Sequence, residues 1–219
     1  EQLRSGWGAL LKPLAWQGAL CYGPSPSSKA TFTHPASLLK NWNGLPDPAE
    51  AAPAVIKRYL SAYGPATPET FDAWLSRNSN KKSTLRSWFA SLGEQIVEVR
   101  VESETRYLLA EHEDELAATR PSRATHLLGA FDQFVLGPGT KDTHMLAHEH
   151  RPLVSKAAGW IAPVLTQGGR ITGVWEMDDG NLVVTPFPGE QAPPSQVLED
   201  AAARLTAVHG SVKVTPRVD

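Results

Sequence analysis

A short pattern occurs twice in this chain, and it restricts the possible folds more than any other feature of the sequence. Leu3-Arg4-Ser5 begins one segment whose apolar residues recur at helical spacing, and Leu85-Arg86-Ser87 begins another. Residues typical of a β-hairpin follow each segment at once. A helix that leads directly into a two-stranded hairpin is the order of a recognition helix and its wing, and such a helix fits the major groove of DNA. The repeat therefore predicts tandem winged helices in an α+β chain.

The first copy of the pattern spans residues 1–45. Residues 1–20 are predicted to form a helix that is kinked at Pro13, because proline lacks the N–H needed inside a helix. Residues 20–22 and 31–33 are predicted to pair as short strands. Arg4 and Lys12 lie opposite the apolar stripe of the helix. We assign residues 1–45 to the C-terminal part of a winged helix, a helix plus its wing, whose first helices would precede Glu1.

The second copy, residues 46–120, contains the elements of a complete winged helix. Asp47 is the predicted N-cap of a helix that stops at Gly64-Pro65, and Thr67 begins a short helix with the same capping pattern. A polar turn, a third helix and a strictly alternating hairpin follow. The exposed positions of that hairpin are mostly glutamates, so we expect the hairpin to be structural or to face another domain rather than to hold phosphate.

The third helix of this copy carries a candidate binding face. Lys82 and Arg86 are four residues apart and share one side of the predicted helix, with Lys81 just before it. Arginine can donate two parallel hydrogen bonds to guanine or to phosphate. Most helices have a solvated polar face, and it is the repeat together with the hairpin that favours DNA binding here.

From Arg120 onward the sequence predicts a β-rich domain. Short strand-like runs are separated by glycine turns, and helices are predicted at residues 150–157 and 194–208. Several short antiparallel strands of this size suggest a small closed or half-closed barrel. We assign residues 121–219 to a β-barrel-like domain with two short helices. Its predicted strands are residues 126–128, 131–136, 160–166, 171–177, 182–186 and 211–215.

Charge and composition limit the possible partners. The formal net charge is −2 and the pI is about 6.4, whereas a free-standing DNA-binding domain is typically basic. Phosphate affinity nevertheless depends on local Lys and Arg, so one basic face is enough for binding. The single cysteine, Cys21, excludes an internal disulfide. Because no apolar run approaches the roughly 20 residues of a membrane span, and no signal pattern is present, we expect a cytoplasmic protein without a membrane partner.

Six segments together resemble a known family: Ser5–Ala15, Cys21–Pro24, Arg58–Pro65, Leu127–Thr140, Ala158–Val164 and Gly168–Trp175. They are similar to the winged-helix DNA-binding domain family of bacteria, in particular its actinobacterial branch. The characterised members of that family are DNA glycosylases that remove alkylated purines and unhook interstrand crosslinks. The resemblance covers nearly the whole chain in the right order.

The resemblance implies three tandem winged helices followed by a C-terminal β-barrel, which together hold a duplex. This chain would contain the end of the second winged helix, the third winged helix and the barrel. The family's catalysis is assigned to a Gln-x-Gln or Gln-x-Asp pair on the N-terminal module, and this sequence contains neither pair. The resemblance therefore implies that hydrolysis of the N-glycosidic bond needs the full-length parent protein.

Asp132 is the one acidic residue of a predicted apolar strand, inside the segment that carries the resemblance. A carboxylate in such a place either supports chemistry or faces DNA, or it forms an ion pair that fixes the barrel. Arg123 and Arg170 are the candidate partners for that ion pair, which is the commoner use of a buried acid.

Three histidines form the only metal-like cluster of the sequence. His144 and His148 would share one helical face, with Glu149 and His150 beside them. A second group of matching ligands is missing, so we interpret the cluster as a solvated, His-rich turn and expect no metal.

Double-stranded DNA binding, as the C-terminal part of a DNA glycosylase-like repair protein, is the leading hypothesis. We expect no small-molecule cofactor and no catalytic residue within this chain. One alternative is a non-enzymatic winged-helix regulator of DNA, and another is a protein-interaction scaffold, which the net charge of −2 permits. The candidate DNA contacts are Arg4, Lys12, Lys81, Lys82 and Arg86.

Overall fold

The computed structural model describes residues 11–25, 29–178, 181–209 and 216–218. The chain divides into two compact units, Glu1–Ala52 and Pro53–Asp219. Among its described residues, the second unit contains four helices of nine or more residues, a two-stranded hairpin and a five-stranded sheet.

The first unit contains a short helix and a small hairpin. Helix α1 spans Lys12–Trp16, and strand β1 (Cys21–Tyr22) pairs antiparallel with β2 (Phe32–Thr33), as predicted. The predicted kink at Pro13 is wrong. Pro13 lies in the first turn of α1, where its missing N–H has no partner to lose. Predicted helix residues 1–10 lie outside the described residues.

The predicted order of elements between residues 46 and 120 is confirmed. Asp47 Oδ1 accepts a hydrogen bond of 2.7 Å from the Ala49 N–H at the start of the first helix, and Thr67 and Thr70 form a reciprocal capping box at the start of the second. Both capping residues, Asp47 and Thr67, were predicted from the sequence. The elements are α2 (Pro48–Tyr63), α3 (Pro68–Ser76), α4 (Lys82–Ala90), β3 (Ile96–Val101) and β4 (Glu104–Leu109).

One hydrophobic core holds these elements together. Phe71 of α3 packs edge-to-face against Phe89 of α4, with ring centroids 5.8 Å apart, and Phe89 also contacts the ring of Tyr107 on β4. Tyr59 of α2 is in the same cluster. Because Leu85 and Phe89 point into this core, the opposite side of α4 is left in solvent.

The remaining part of the second unit is built on a sheet of order β5-β6-β7-β8-β9. Leu198 and Ala201 of helix α8 (Ser195–His209) pack on one face of the sheet, against Leu165 and Leu182. The opposite face packs against short helices and loops that contribute Val154 and other apolar residues. The strands are β5 (Thr125–Leu128), β6 (Val164–Gln167), β7 (Arg170–Asp178), β8 (Asn181–Pro186) and β9 (Pro216–Val218), and the other helices are α5 (Glu113–Ala118), α6 (Gln133–Leu136) and α7 (Arg151–Val154).

Three of the predicted β-domain boundaries are corrected. Residues 131–136 are not a strand, because Asp132 caps the short helix α6. The helix predicted at 150–157 is a 3-10 turn followed by α7, and the strand predicted from 160 begins only at Val164. Predicted strand 211–215 lies outside the described residues. Among the described strands, β5 and β9 each pair on one side only, and closure into a barrel stays a prediction.

A buried ion pair joins the hairpin to the loop between α6 and α7. Arg106 Nη1 on β4 lies 3.0 Å from Asp142 Oδ2, and the side chains of Arg106 and Asp142 are only 11% and 6% exposed. Arg106 Nε also donates to Glu104 at 2.7 Å. Burial alone would lower the pKa of Arg106, but hydrogen bonds and charge from Glu104 and Asp142 raise it. The guanidinium therefore stays charged.

Two tyrosines of α2 contact the segment around α6. Tyr59 Oη donates a hydrogen bond of 3.0 Å to the Gly137 carbonyl, in a buried position. The ring of Tyr63 lies so close to Gly137 that a β-carbon there would overlap it. Gly137 thus permits a close approach between helix α2 and the α6 segment, and this approach sets the position of the sheet against the helices.

We expect Asp142→Asn to lower the free energy of unfolding by roughly 3 kcal/mol, because the charge of Arg106 would lose its best-buried counter-ion. The asparagine oxygen can still accept the His144 N–H hydrogen bond, which measures 2.9 Å, so the loss reports the ion pair. Urea unfolding followed by fluorescence measures the effect. As the matched control, Asp114→Asn removes an exposed carboxylate of α5; equal unfolding free energies for the two variants would contradict this account.

A second prediction concerns alkaline pH. Burial, the largest cause, raises the pKa of Tyr59 above 10.0, so the unfolded chain ionises this residue first. The stability that it contributes is complete below about pH 10 and is lost as pH rises through the higher folded-state pKa. Tyr59→Phe should cost about 1 kcal/mol at pH 8 and should flatten the fall in stability above pH 10. Tyr22→Phe, which removes the hydroxyl of a 73% exposed tyrosine, is the control for the substitution. A fall in stability above about pH 10 that is as steep in Tyr59→Phe as in the wild type would refute the assignment.

Candidate nucleic-acid interface

The polar face of α4, which the sequence analysis identified as a candidate binding face, is exposed to solvent in the structure. Lys82 and Arg86 are exposed one helical turn apart, and Ser83 and Ser87 are exposed beside them. Lys81 is the N-cap residue and is also exposed. We refer to Lys81, Lys82, Ser83, Arg86 and Ser87 as the α4 face. Its residues are polar or positively charged, and therefore suit a polyanion.

The turn before α4 adds a cation that the sequence analysis missed. Arg77 and Asn78 both adopt left-handed backbone conformations, with φ of 58° and 63°. Asp72 is buried, with 2% of the residue exposed. Its carboxylate holds this turn by accepting hydrogen bonds from Ser76 Oγ at 2.6 Å and from Asn80 Nδ2 at 2.7 Å. The sequence signal for such a turn was Asp72, an acidic residue on the otherwise apolar buried face of α3. The turn places Arg77 in solvent, shortly before the α4 face.

A groove of about 490 Å³ lies between α4 and the hairpin. Arg86 and Phe89 line one side, and Glu98 and Tyr107 line the other. Tyr107 Oη donates to the Glu98 carboxylate at 3.2 Å. The pKa of Tyr107 is raised, first by its burial and then by Glu98, so the phenol stays protonated as a donor at neutral pH.

The far side of the hairpin is acidic. A second groove, of about 480 Å³, is lined by Glu69, Glu102 and Glu104 together with Asp142. The ring nitrogens of His144 lie 3.8 Å from Glu102 and 4.0 Å from Glu104. Although Arg106 and Lys141 also line it, carboxylates outnumber cations, and this side is unfavourable for phosphate.

The other predicted site residues lie elsewhere. Lys12 is the exposed first residue of α1, in the first unit, and Arg4 lies outside the described residues. The Asp132 carboxylate accepts a hydrogen bond of 2.8 Å from the Phe134 N–H. Among the ion pairs recorded for the described residues, none joins Asp132 to Arg123 or Arg170. Asp132 is thus a helix cap, and its predicted place in a strand is wrong.

The histidines do not form one solvated turn. His150 is 8% exposed, and its ring packs on Phe187 with centroids 4.6 Å apart. His144 faces the hairpin glutamates, while His148 is exposed. Within the described ranges, no group of three His, Cys, Asp or Glu side chains could hold a metal ion. No helix described there is both long and apolar enough to cross a membrane.

Comparison with known proteins establishes the family of this chain. Residues 2–208 match the family described as DNA glycosylase AlkZ-like. The chain belongs to the AlkZ-like DNA glycosylase family. It is 54% identical over 219 residues to the interstrand DNA cross-link repair glycosylase of Streptomyces sahachiroi, and it spans 59% of the length of that protein. The mixed arrangement of helices and antiparallel strands matches the solved Streptomyces sahachiroi DNA glycosylase AlkZ, with a TM-score of 0.94, 53% identity, all of this chain covered and 59% of the other.

For this AlkZ-like chain we expect Lys82→Glu/Arg86→Glu to weaken duplex DNA binding by roughly tenfold to a hundredfold. The plot of log binding constant against log salt concentration should also become shallower, by the slope of about two phosphate contacts. Fluorescence anisotropy of a labelled duplex at two salt concentrations measures both effects. Circular dichroism should show an unchanged fold, because both side chains are exposed.

Arg120→Glu/Arg123→Glu is the matched control for this charge reversal. It makes the same change in net charge at two exposed arginines between α5 and β5. If the control weakened binding as much as the α4 variant did, net charge rather than the α4 face would explain the result.

Proposed function

We propose that this chain binds double-stranded DNA as part of a DNA glycosylase, and that the whole protein hydrolyses the N-glycosidic bond of a damaged base. The observation that carries the proposal is the exposed basic face of α4, directly followed by a β-hairpin, in a member of the AlkZ-like family. The net charge of −2 does not oppose it, because four carboxylates, those of Glu69, Glu102, Glu104 and Asp142, line a groove on the side of the hairpin away from α4. Glu98 alone shares the groove that Arg86 lines.

In this proposal α2, α3, α4 and the hairpin β3–β4 form a winged helix, with α4 as the recognition helix in the major groove. The packing of Leu85 and Phe89 into the core supports this role, because it fixes which side of α4 meets the duplex. Residues 1–45 would be the C-terminal part of another winged helix, and residues 121–219 would form a barrel-like domain against the DNA. Lys12 and Arg4 would be DNA contacts of the first of these modules.

Phosphate contacts would supply most of the affinity. Lys81, Lys82 and Arg86, with Arg77 from the preceding turn, are exposed cations close together in the chain. Each neutralised phosphate releases counter-ions, so the logarithm of the binding constant should fall with a slope of about −0.9 per contact. Binding should therefore depend strongly on salt.

The proposed chemistry is base release from damaged DNA, with an alkylated purine or a crosslinked base as the substrate class. The name of the Streptomyces sahachiroi relative, an interstrand DNA cross-link repair glycosylase, supports this substrate class. The Gln-x-Gln or Gln-x-Asp pair that the family resemblance associates with catalysis does not occur in these 219 residues. We therefore assign this chain to duplex binding and expect no base release by the chain alone.

Two assays on the purified chain test this assignment. Anisotropy should show binding of an undamaged duplex at low salt that weakens as salt rises, and incubation with alkylated DNA should release no free purine. Absence of binding at low salt would overturn the proposed DNA partner. Release of base by this chain would instead show that its own residues catalyse hydrolysis, and the assignment of catalysis to the glutamine pair would fail.

An apolar groove of about 370 Å³ favours a second candidate, the protein-interaction scaffold. Val55 and Tyr63 of α2 line this groove together with Trp74 of α3, which is 39% exposed. Under this hypothesis, charge reversal at Lys82 and Arg86 would leave binding to the partner intact. The DNA assay therefore separates the two candidates.

A further inference from the structure

Two large aromatic side chains far from α4 in sequence are held in solvent next to each other. Phe131 is 42% exposed and Trp160 is 52% exposed. Their rings meet edge-to-face with centroids 5.0 Å apart, a favourable aromatic geometry. Phe131 comes just before helix α6, and Trp160 lies in the loop that leads into β6. We call Phe131 and Trp160 the aromatic pair.

The backbone is strained in both of the segments that carry the aromatic pair. Phe131 has a φ of 58° and Ala158 a φ of 56°, in the left-handed region where a residue with a bulky side chain is an outlier. Such conformations cost on the order of 1 kcal/mol each and persist where the surrounding structure enforces them. Strained residues of this kind cluster at ligand-binding positions. The exposed pair is therefore a candidate binding site.

Local hydrogen bonds provide that enforcement. The Asp132 N–H donates to the Gly129 carbonyl at 3.3 Å, and the Asp132 side chain caps α6, which fixes the chain on both sides of the Phe131 Cα. On the other loop, the Lys156 N–H donates to the Trp160 carbonyl at 2.8 Å, and Ser155 pairs with Ile161. The two rings are thus presented by closed turns.

The chemistry around the pair fits nucleic acid. The tip of the Trp160 loop consists of the small residues Ala157, Ala158 and Gly159, all exposed, which lets another backbone approach closely. Lys156 is exposed beside Trp160, and residues 155–161 contain no acidic side chain. Exposed aromatic rings next to a cation are what stacked bases and their phosphates require.

We propose that the aromatic pair inserts against the bases of the bound duplex and unstacks a base step, with Lys156 on an adjacent phosphate. This inference rests on the proposed function, because it requires that the chain bind duplex DNA. Apolar side chains that wedge between base steps are a known way to open a duplex, and an opened step makes a damaged base easier to extrude.

The test uses a duplex that carries 2-aminopurine, whose fluorescence rises when it loses its stacking partners. Phe131→Gly and Trp160→Ala are the variants, and glycine relieves the left-handed strain at residue 131, which offsets part of the packing lost with the ring. Phe134→Ala is the matched control, since it removes a 40% exposed ring from the same segment but outside the pair. Anisotropy on the same samples gives affinity and salt dependence.

We expect the wild-type chain to raise the 2-aminopurine fluorescence at least twofold. Each pair variant should abolish the rise and weaken binding by roughly tenfold, with the salt slope unchanged, whereas Phe134→Ala should behave as wild type. Normal salt-dependent binding without a fluorescence rise, or a rise that survives in both variants, would overturn the wedge and leave the proposed function standing. Absence of any duplex binding by the wild type would overturn both.

Discussion

The buried charge of Arg106 is the constraint on which the arrangement of the second unit depends. A guanidinium that is 11% exposed is tolerated only with compensating charge, and Asp142 supplies it from the loop between α6 and α7. Arg106 Nη1 also lies 3.4 Å from the Pro65 carbonyl, at the α2–α3 connection. One side chain thus links the hairpin, the helices and the sheet, and Tyr59 adds a second buried link to Gly137.

The same packing explains how a chain with a net charge of −2 can offer a surface to a polyanion. The core fixes the rotation of α4, which leaves Lys82 and Arg86 in solvent, while Glu102 and Glu104 of the hairpin gather with Asp142 around a groove on the far side. Lys and Arg on one surface then act locally, because charges separated by more than about 10 Å are screened at ordinary salt. The relevant quantity for DNA binding is the charge of this face rather than that of the chain.

Features that depend on interactions between residues close together in the chain could be predicted from the sequence, and features that depend on distant residues could not. The helices α2 to α4 and their hairpin were predictable, because their caps and apolar spacing are local signals within a few residues. The Arg106–Asp142 pair joins residues 36 apart, and no local pattern indicates it. Residues 131–136 were assigned to a strand on their apolar character, but the Asp132 cap makes them a helical turn. The exposed pair of Phe131 and Trp160 likewise depends on backbone conformations that composition does not reveal.

The central claim, that the α4 face lies against duplex DNA, can be tested by directed cleavage. With the single cysteine replaced (Cys21→Ser), an iron chelate tethered at Ser87→Cys generates hydroxyl radicals at the α4 face, and the same chelate at Glu199→Cys generates them on the exposed side of α8. The account predicts localised cleavage of a bound duplex from position 87 and little from position 199. Equal cleavage from both positions, or cleavage from 199 alone while the duplex is bound, would contradict it.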